Sequence, residues 1–182
     1  MSLPPTESVV PPSKKLRPEP ELPTSTGACA RFETLALKGD SCCILNAANA
    51  GVLQAVLAKP TAEAPAEPAK SDCDEQLLIT LTLAAPSKLH SLHFSAPDQP
   101  TAPKTVKLFL NKDNLSFDDV EDLPATQTLV LHGTSQTIPL HFVKFQNVSS
   151  LVVFIEDNQG GGDVTCLSHL ELIGTPLSTT NM

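Results

Sequence analysis

From Leu77 onward the chain alternates. Leu77, Ile79, Leu81 and Leu83 share one side of a period of two, against Leu78, Thr80 and Thr82 on the other, as in a strand with one face in a core. The pattern repeats with His90, Leu92 and Phe94 against Leu89, Ser91 and His93. It repeats again with Val106, Leu108 and Leu110 against Thr105, Lys107 and Phe109. Further strands are expected over 127–132, 138–146, 149–156 and 164–173. Turn-forming clusters separate them, notably Ala96-Pro97-Asp98-Gln99-Pro100, Asn111-Lys112-Asp113-Asn114, His132-Gly133-Thr134 and residues 158–163. Seven or more short strands with almost no helix between them predict an all-β sandwich or jelly roll. The missing crossover helices exclude a parallel α/β sheet.

One helical stripe stands apart. Leu45, Ala48, Val52, Leu53, Val56 and Leu57 recur at helical spacing and stop before Lys59-Pro60, which predicts one short helix near the N-terminal edge of the domain. Residues 59–70, rich in Ala, Pro and Glu, read as a linker or long exposed loop. Residues 1–28 lack an apolar period and hold seven prolines before position 24, the composition of a disordered, Pro-rich tail. The folded domain is expected over 29–177, with a short C-terminal tail at 178–182. Within the N-terminal tail, Lys14-Lys15-Leu16-Arg17 reads as a nuclear-import signal or as a solvated charge run.

Charge narrows the partners. The net charge is −8, and the tail does not supply it: Lys14, Lys15 and Arg17 offset Glu7, Glu19 and Glu21. An acidic folded part repels phosphate backbones, and the chain has no Trp or Tyr on which bases could stack, so nucleic acid is not expected as a partner. No segment has the form of a signal peptide or a membrane span. A soluble monomer of the cytoplasm and nucleus is expected, with no membrane partner.

The cysteines and histidines are the residue types most able to carry chemistry. Cys29, Cys42, Cys43, Cys73 and Cys166 form no CxxC pair, and an odd count does not suggest a disulfide framework or a zinc site. Cys166 lies mid-strand and reads as a small core residue. His90 and His93, three apart on a strand, point to opposite faces. The acids from Asp113 to Asp122 lack the ligand pattern of an EF-hand loop. Residues 156–163 are glycine-rich but lack the Gly-Lys-Ser/Thr ending of a phosphate cradle, and read as a mobile hairpin tip. No catalytic residue, cofactor or metal is expected.

Several strings occur together and in order. They are Ser71-Asp72-Cys73-Asp74-Glu75-Gln76-Leu77-Leu78-Ile79, Lys88-Leu89-His90-Ser91-Leu92 followed by Phe94-Ser95-Ala96-Pro97, and Pro103-Lys104-Thr105-Val106-Lys107-Leu108-Phe109. Then come Leu115-Ser116-Phe117-Asp118-Asp119, Val143-Lys144-Phe145-Gln146-Asn147-Val148, Phe154-Ile155-Glu156-Asp157-Asn158-Gln159-Gly160-Gly161 and Leu170-Glu171-Leu172-Ile173-Gly174-Thr175-Pro176. Together they resemble the PITH (proteasome-interacting thioredoxin) domain of thioredoxin-like proteins, over about residues 30–177. Cys42-Cys43-Ile44-Leu45-Asn46 is similar, more loosely, to the family's Cys-Leu-Asn start.

The resemblance implies a jelly-roll β-sandwich of galactose-binding-like type and a protein-interaction role at the 26S proteasome regulatory particle. The thioredoxin domain that accompanies PITH carries a Trp-Cys-Gly-Pro-Cys site. With no Trp in this chain, that redox site is not expected. The chain ends at Asn181-Met182, so a long C-terminal docking tail is not expected either. Two other readings remain open: a carbohydrate- or small-ligand-binding sandwich, and an accessory domain of a thiol redox protein. Recognition by a sandwich falls to loops and strand ends. The loops around Phe117, Asp118 and Asp119 and around Glu156, Asp157 and Asn158 are therefore the candidate protein-binding residues. The competing reading puts Phe117 inward as a core plug and has the Asp residues cap turns.

Overall fold

The computed structural model describes residues 32–58 and 67–177. The N-terminal tail, most of the 59–70 linker and the C-terminal tail lie outside the described residues. In chain order the elements are β1 (Glu33–Thr34), β2 (Cys43–Leu45), α1 (Leu53–Leu57), β3 (Ala69–Lys70), β4 (Leu77–Ser95) and β5 (Thr105–Leu110). They continue with α2 (Phe117–Asp122), β6 (Gln127–Val130), β7 (Ser135–Pro139), β8 (Val148–Ile155), β9 (Cys166–Leu167) and β10 (His169–Pro176).

Every strand pairing is antiparallel, and β4 belongs to two layers. Its first part, from Leu77 to Thr82, lies between β2 and β8, and β5 and β6 continue that layer. Its last part, around Ser91 to Ser95, lies between β10 and β7, with β1 beyond β10. The pairing with β8 jumps from Thr82 to Ser87. The intervening Ala84-Ala85-Pro86 suits a crossing between layers, since Pro86 has no N–H to give a ladder. Two strands expected from the alternation are thus one 19-residue strand that changes sheets.

A second irregularity sets the core. Opposite β10 the register passes from Ile173↔Ser91 to Gly174↔Leu89, leaving His90 unpaired. The bulge reverses the parity of β4, so Leu89 and Leu92 both face inward with no exposed surface. Between the layers Leu77, Ile79, Leu81, Val106, Leu108, Leu151, Val153 and Ile155 meet Leu92, Phe94, Leu170 and Leu172, with Phe145 inserted from a loop. Each fully buried large side chain contributes about 1.5–3 kcal/mol.

A smaller cluster lies on the outer face of the first layer. Leu78, Phe109, Val152 and Phe154 are covered by Val120 of α2, with Leu115, Phe117 and Ala125 packed around them. Helix α2 exists because Ser116 caps it. The Ser116 Oγ accepts from the Asp119 N–H (3.3 Å), and the Asp119 carboxylate accepts from the Ser116 N–H (2.9 Å) and hydroxyl (2.7 Å). The stretch expected as an acidic loop is therefore a capped helix.

Three further expectations change. The helical stripe reduces to α1 and a 3-10 turn at Ala50–Val52, because Leu45 belongs to β2 and Asn46 adopts a left-handed φ of 59°. Ala69, expected in a linker, is fully buried where β3 pairs with β9. The strand expected over 138–146 begins earlier, as β7. After Leu140 the chain makes a turn held by the Lys144 N–H on the His141 carbonyl (2.9 Å).

Candidate functional site

Four loops meet at one end of the sandwich. They are residues 71–76 before β4, residues 96–104 between β4 and β5, residues 131–134 before β7, and residues 156–165 between β8 and β9. Few of their bonds are strand ladder; side chains and turn backbone join them.

Asn46 organises the first loop from outside it. Its left-handed backbone aims the amide so that Nδ2 donates to the Asp74 carboxylate (2.6 Å) and the Gln76 carbonyl (2.7 Å), while Oδ1 accepts from the Cys73 N–H (3.0 Å). The loop then joins the fourth. The Ser71 N–H donates to the Thr165 carbonyl (2.9 Å), the Thr165 N–H to the Ser71 hydroxyl (2.9 Å), and the Thr165 hydroxyl to the Glu75 carbonyl (2.5 Å). Ser71 and Thr165 are buried, and every polar group named here has a partner, as buried polar groups require.

The glycine-rich loop is pinned, which corrects the expectation of a mobile tip. Asn158 is only 2% exposed and lies beneath it. Its Nδ2 donates to the Gly162 (2.6 Å) and Val164 (3.1 Å) carbonyls, and its Oδ1 accepts from the Gly162 N–H (3.1 Å). The Gly160 N–H donates to the Pro100 carbonyl (2.9 Å). Gln159 reaches the 131–134 loop, and its Nε2 also donates to the Pro103 carbonyl (3.1 Å).

Carboxylates crown this platform. Asp72, Asp74, Asp98 and Asp163 are exposed, and Glu75 and Asp157 half-exposed. Glu75, Lys104, Asp157 and the 158–163 run line an open depression of about 300 Å³. Burial works to raise the Asp157 carboxyl, but hydrogen bonds from the Thr105 N–H (2.7 Å) and the Lys104 ammonium (3.4 Å) outweigh it and hold the group below the usual carboxylate range. Bonds from the Thr101 hydroxyl (2.6 Å) and N–H (3.0 Å) do the same for Asp98. Asp119 is lowered by the Ser116 N–H and hydroxyl.

The six candidate residues therefore divide. Asp157 belongs to the loop end. Asn158 is a correction: it is buried with its amide spent on its own loop, so it builds the site and does not face a partner. Phe117 is half-buried, edge-on to Phe154 with centroids 6.1 Å apart, which supports the core-plug reading. Asp119 is committed to the cap of α2, and Asp118 is exposed beside it. Glu156 bonds to Lys107 (2.9 Å), whose ammonium lies 5.9 Å from the Phe154 ring. Phe117 and Glu156 thus share the outer face of the first layer through Phe154 and Lys107. Asn46, Ser71, Gln159 and Thr165 are the residues that periodicity did not single out. Their only signal was membership of the strings around 42–46, 71–79 and 154–161, and Thr165 lacked even that.

Among the described residues Cys42, Cys43, Cys73 and Cys166 are free. Burial pushes the Cys42 thiol up, and neighbouring Cys43 adds to that against a bond with the Thr82 backbone, which lowers its nucleophilicity at neutral pH. Among the described residues no three His, Cys, Asp or Glu side chains converge to hold a metal ion.

Comparison with known proteins places the chain in a family and a fold. The PITH domain family model matches residues 35–182. A thioredoxin-like protein 1 of Schizosaccharomyces pombe is 42% identical over 120 residues, covering 62% of this chain and 41% of that protein. Human PITH domain-containing protein 1 is 31% identical over 109 residues, covering 58% of this chain and 50% of its own. The match thus spans about half the length of these relatives or less. Among solved structures, an F5/8 type C domain from Bacteroides fragilis superposes with a TM-score of 0.52 at 8% identity, over 79% of this chain and 99% of that one. The fold is an all-β jelly roll, shared with that F5/8 type C domain.

Proposed function

The chain belongs to the PITH domain family, and from that membership we propose that this protein-interaction module docks, without catalysis, on the regulatory particle of the 26S proteasome through its acidic loop end. The observation that carries the reading is the cross-bonding of four loops by Asn46, Ser71, Asn158, Gln159 and Thr165. Such a platform is ordered before it meets a partner, so little conformational entropy is lost on binding. Its rim of Asp72, Asp74, Glu75, Asp98 and Asp163 speeds encounter with a basic surface in a salt-dependent way. We place this activity in the cytoplasm and nucleus and assign it to a monomer.

A sugar-binding role draws on fold likeness alone, which is a weak guide to function. A sugar face commonly stacks on an aromatic ring, and no residue lining the depression is aromatic. A thiol redox role would need a paired, activated cysteine; Cys42 is shifted the other way. The test is to immobilise the full chain and challenge it separately with purified 26S proteasome and with a panel of free glycans. Retention of the proteasome supports the reading. Retention of a glycan and not the proteasome overturns it.

A further inference from the structure

The seven phenylalanines sort themselves by fate. Phe94, Phe109, Phe145 and Phe154 are buried, Phe117 packs on Phe154, and Phe32 stacks on His90 with centroids 4.0 Å apart. Phe142 does none of these: it is 55% exposed, and its neighbour Val143 is 87% exposed. Flexibility is not the explanation. Leu140 and Phe145 anchor the turn in the core on both sides, at 7% and 0% exposure. The His141 N–H donates to Gln127 Oε1 (2.9 Å), the Lys144 ammonium to the Thr126 carbonyl (2.9 Å), and the Phe145 N–H to the Phe142 carbonyl (3.2 Å). The fold holds two apolar side chains on a fixed turn and leaves most of their surface in water.

We propose that this knuckle, Phe142 and Val143, is a second docking point that inserts into an apolar pocket with a carboxylate on its rim, on the same proteasomal assembly that the acidic loop end meets. The inference rests on the function proposed above. Charge identifies the pocket's chemistry. In a chain of net charge −8, residues 123–155 contain no Asp or Glu, and the turn itself carries His141 and Lys144. An acidic rim that the loop end would repel is tolerated here and can pair with Lys144, which has donors to spare beyond Thr126.

Size argues against a second copy of this chain, since a stable interface buries about 800 Å² per partner and two side chains fall well short. An inserted aromatic with a β-branched neighbour suits a small, fully desolvated pocket. Position argues for a separate contact. The knuckle precedes β8 and the acidic loop follows it, so eight residues of strand hold them roughly 25 Å apart. Two contacts that far apart on one rigid module reinforce each other without touching.

Binding of the labelled full chain to purified 26S proteasome, measured at about 0.15 M and about 0.5 M salt, tests this. The F142S/V143S variant should bind at least tenfold more weakly at both salts with an unchanged Tm. V130S, which alters an exposed valine elsewhere, should stay within about twofold. The E75K/D163K variant should lose affinity mainly at the lower salt. Wild-type affinity of F142S/V143S at both salts overturns the knuckle alone. Concentration-dependent self-association of the wild type that F142S/V143S abolishes would make the occupant a second copy and also overturn it. No binding by the wild type overturns both this surface and the function it rests on.

Discussion

Gln159 and Gly133 hydrogen-bond each other twice: the Gly133 N–H donates to Gln159 Oε1 (2.9 Å), and Gln159 Nε2 donates to the Gly133 carbonyl (2.8 Å). One side-chain amide thus stands in for a pair of ladder bonds between two loops. Gly133 has a φ of 77°, which favours glycine at the place where the chain must present both groups to one partner.

Replacing Gln159 with Ala leaves both Gly133 groups without that partner, at a cost of about 1–2 kcal/mol and a Tm lowered by about 3–6 °C. Hydrogen exchange should quicken at Gly133 ahead of the core strands. An unchanged Gly133 amide in Gln159→Ala would mean that the two loops are held by something else.

Asn46 separates backbone from side chain. Both Asn46→Gly and Asn46→Ala lose the bonds to Cys73, Asp74 and Gln76. Ala must also hold a φ of 59°, which costs about 1 kcal/mol or more that Gly avoids. Urea midpoints should therefore fall in the order wild type, Asn46→Gly, Asn46→Ala. The reverse order of the two variants would show that the left-handed turn is not retained.

Gly174 is required by closeness. A Cβ there would lie 2.1 Å from the Lys88 carbonyl oxygen and 3.1 Å from Leu89 Cα, both backbone, at the bulge that turns Leu89 and Leu92 inward. Gly174→Ala should cost about 2–4 kcal/mol or abolish folding, while Gly161→Ala, a change with open space around it, costs about 1 kcal/mol for its left-handed φ. Comparable urea midpoints for the two variants would contradict the close approach.

These residues also mark where the sequence was legible. The strand of Leu77, Ile79, Leu81 and Leu83 declared itself because these four are buried while Thr80 and Thr82 between them are only partly so, and burial of one face imposes a period of two. The sheet crossing at Ala84-Ala85-Pro86 did not, since small residues carry no face. The helical stripe from Leu45 to Ala58 held only in its second half, where Leu53–Leu57 form α1: Leu45 pairs with Leu78 in a strand, and there tertiary pairing overrode the local pattern. Helix α2 carried a readable Ser-x-x-Asp cap, but six acid-rich residues read as a solvated loop. The loop end was legible only as resemblance. Asn46 acts through bonds across 27 to 30 residues of chain and Gln159 across 26 to 56. The Asn158 side chain bonds only within its own loop, and a lone amide in a sequence does not name its partner.

Acid should loosen the loop end first. The Asp157 carboxyl is held below its usual range, so it binds protons less readily folded than unfolded. Its contribution is complete above the unfolded carboxylate range near about pH 4 and is lost as pH falls through the lower folded value. Asp98 and Asp119, also lowered, add to the same window. Asp157→Asn should flatten part of the stability loss between about pH 4 and pH 2. A slope identical to the wild type would mean that the bonds from Thr105 and Lys104 do not discriminate the charged form.

The central claim is that the acidic loop end meets the proteasome, and the most direct measurement is the equilibrium binding of full chain to purified 26S proteasome across a salt series, wild type beside E75K/D163K. Neither substituted side chain takes part in the bonds that join the loops, so far-ultraviolet dichroism and Tm should not move. The account predicts wild-type binding that weakens steadily from about 0.05 M to about 0.3 M salt, and a loss of about tenfold or more in E75K/D163K at the low end that shrinks as salt rises. Equal affinity of the two proteins at low salt, or no binding by the wild type at any salt, would contradict it.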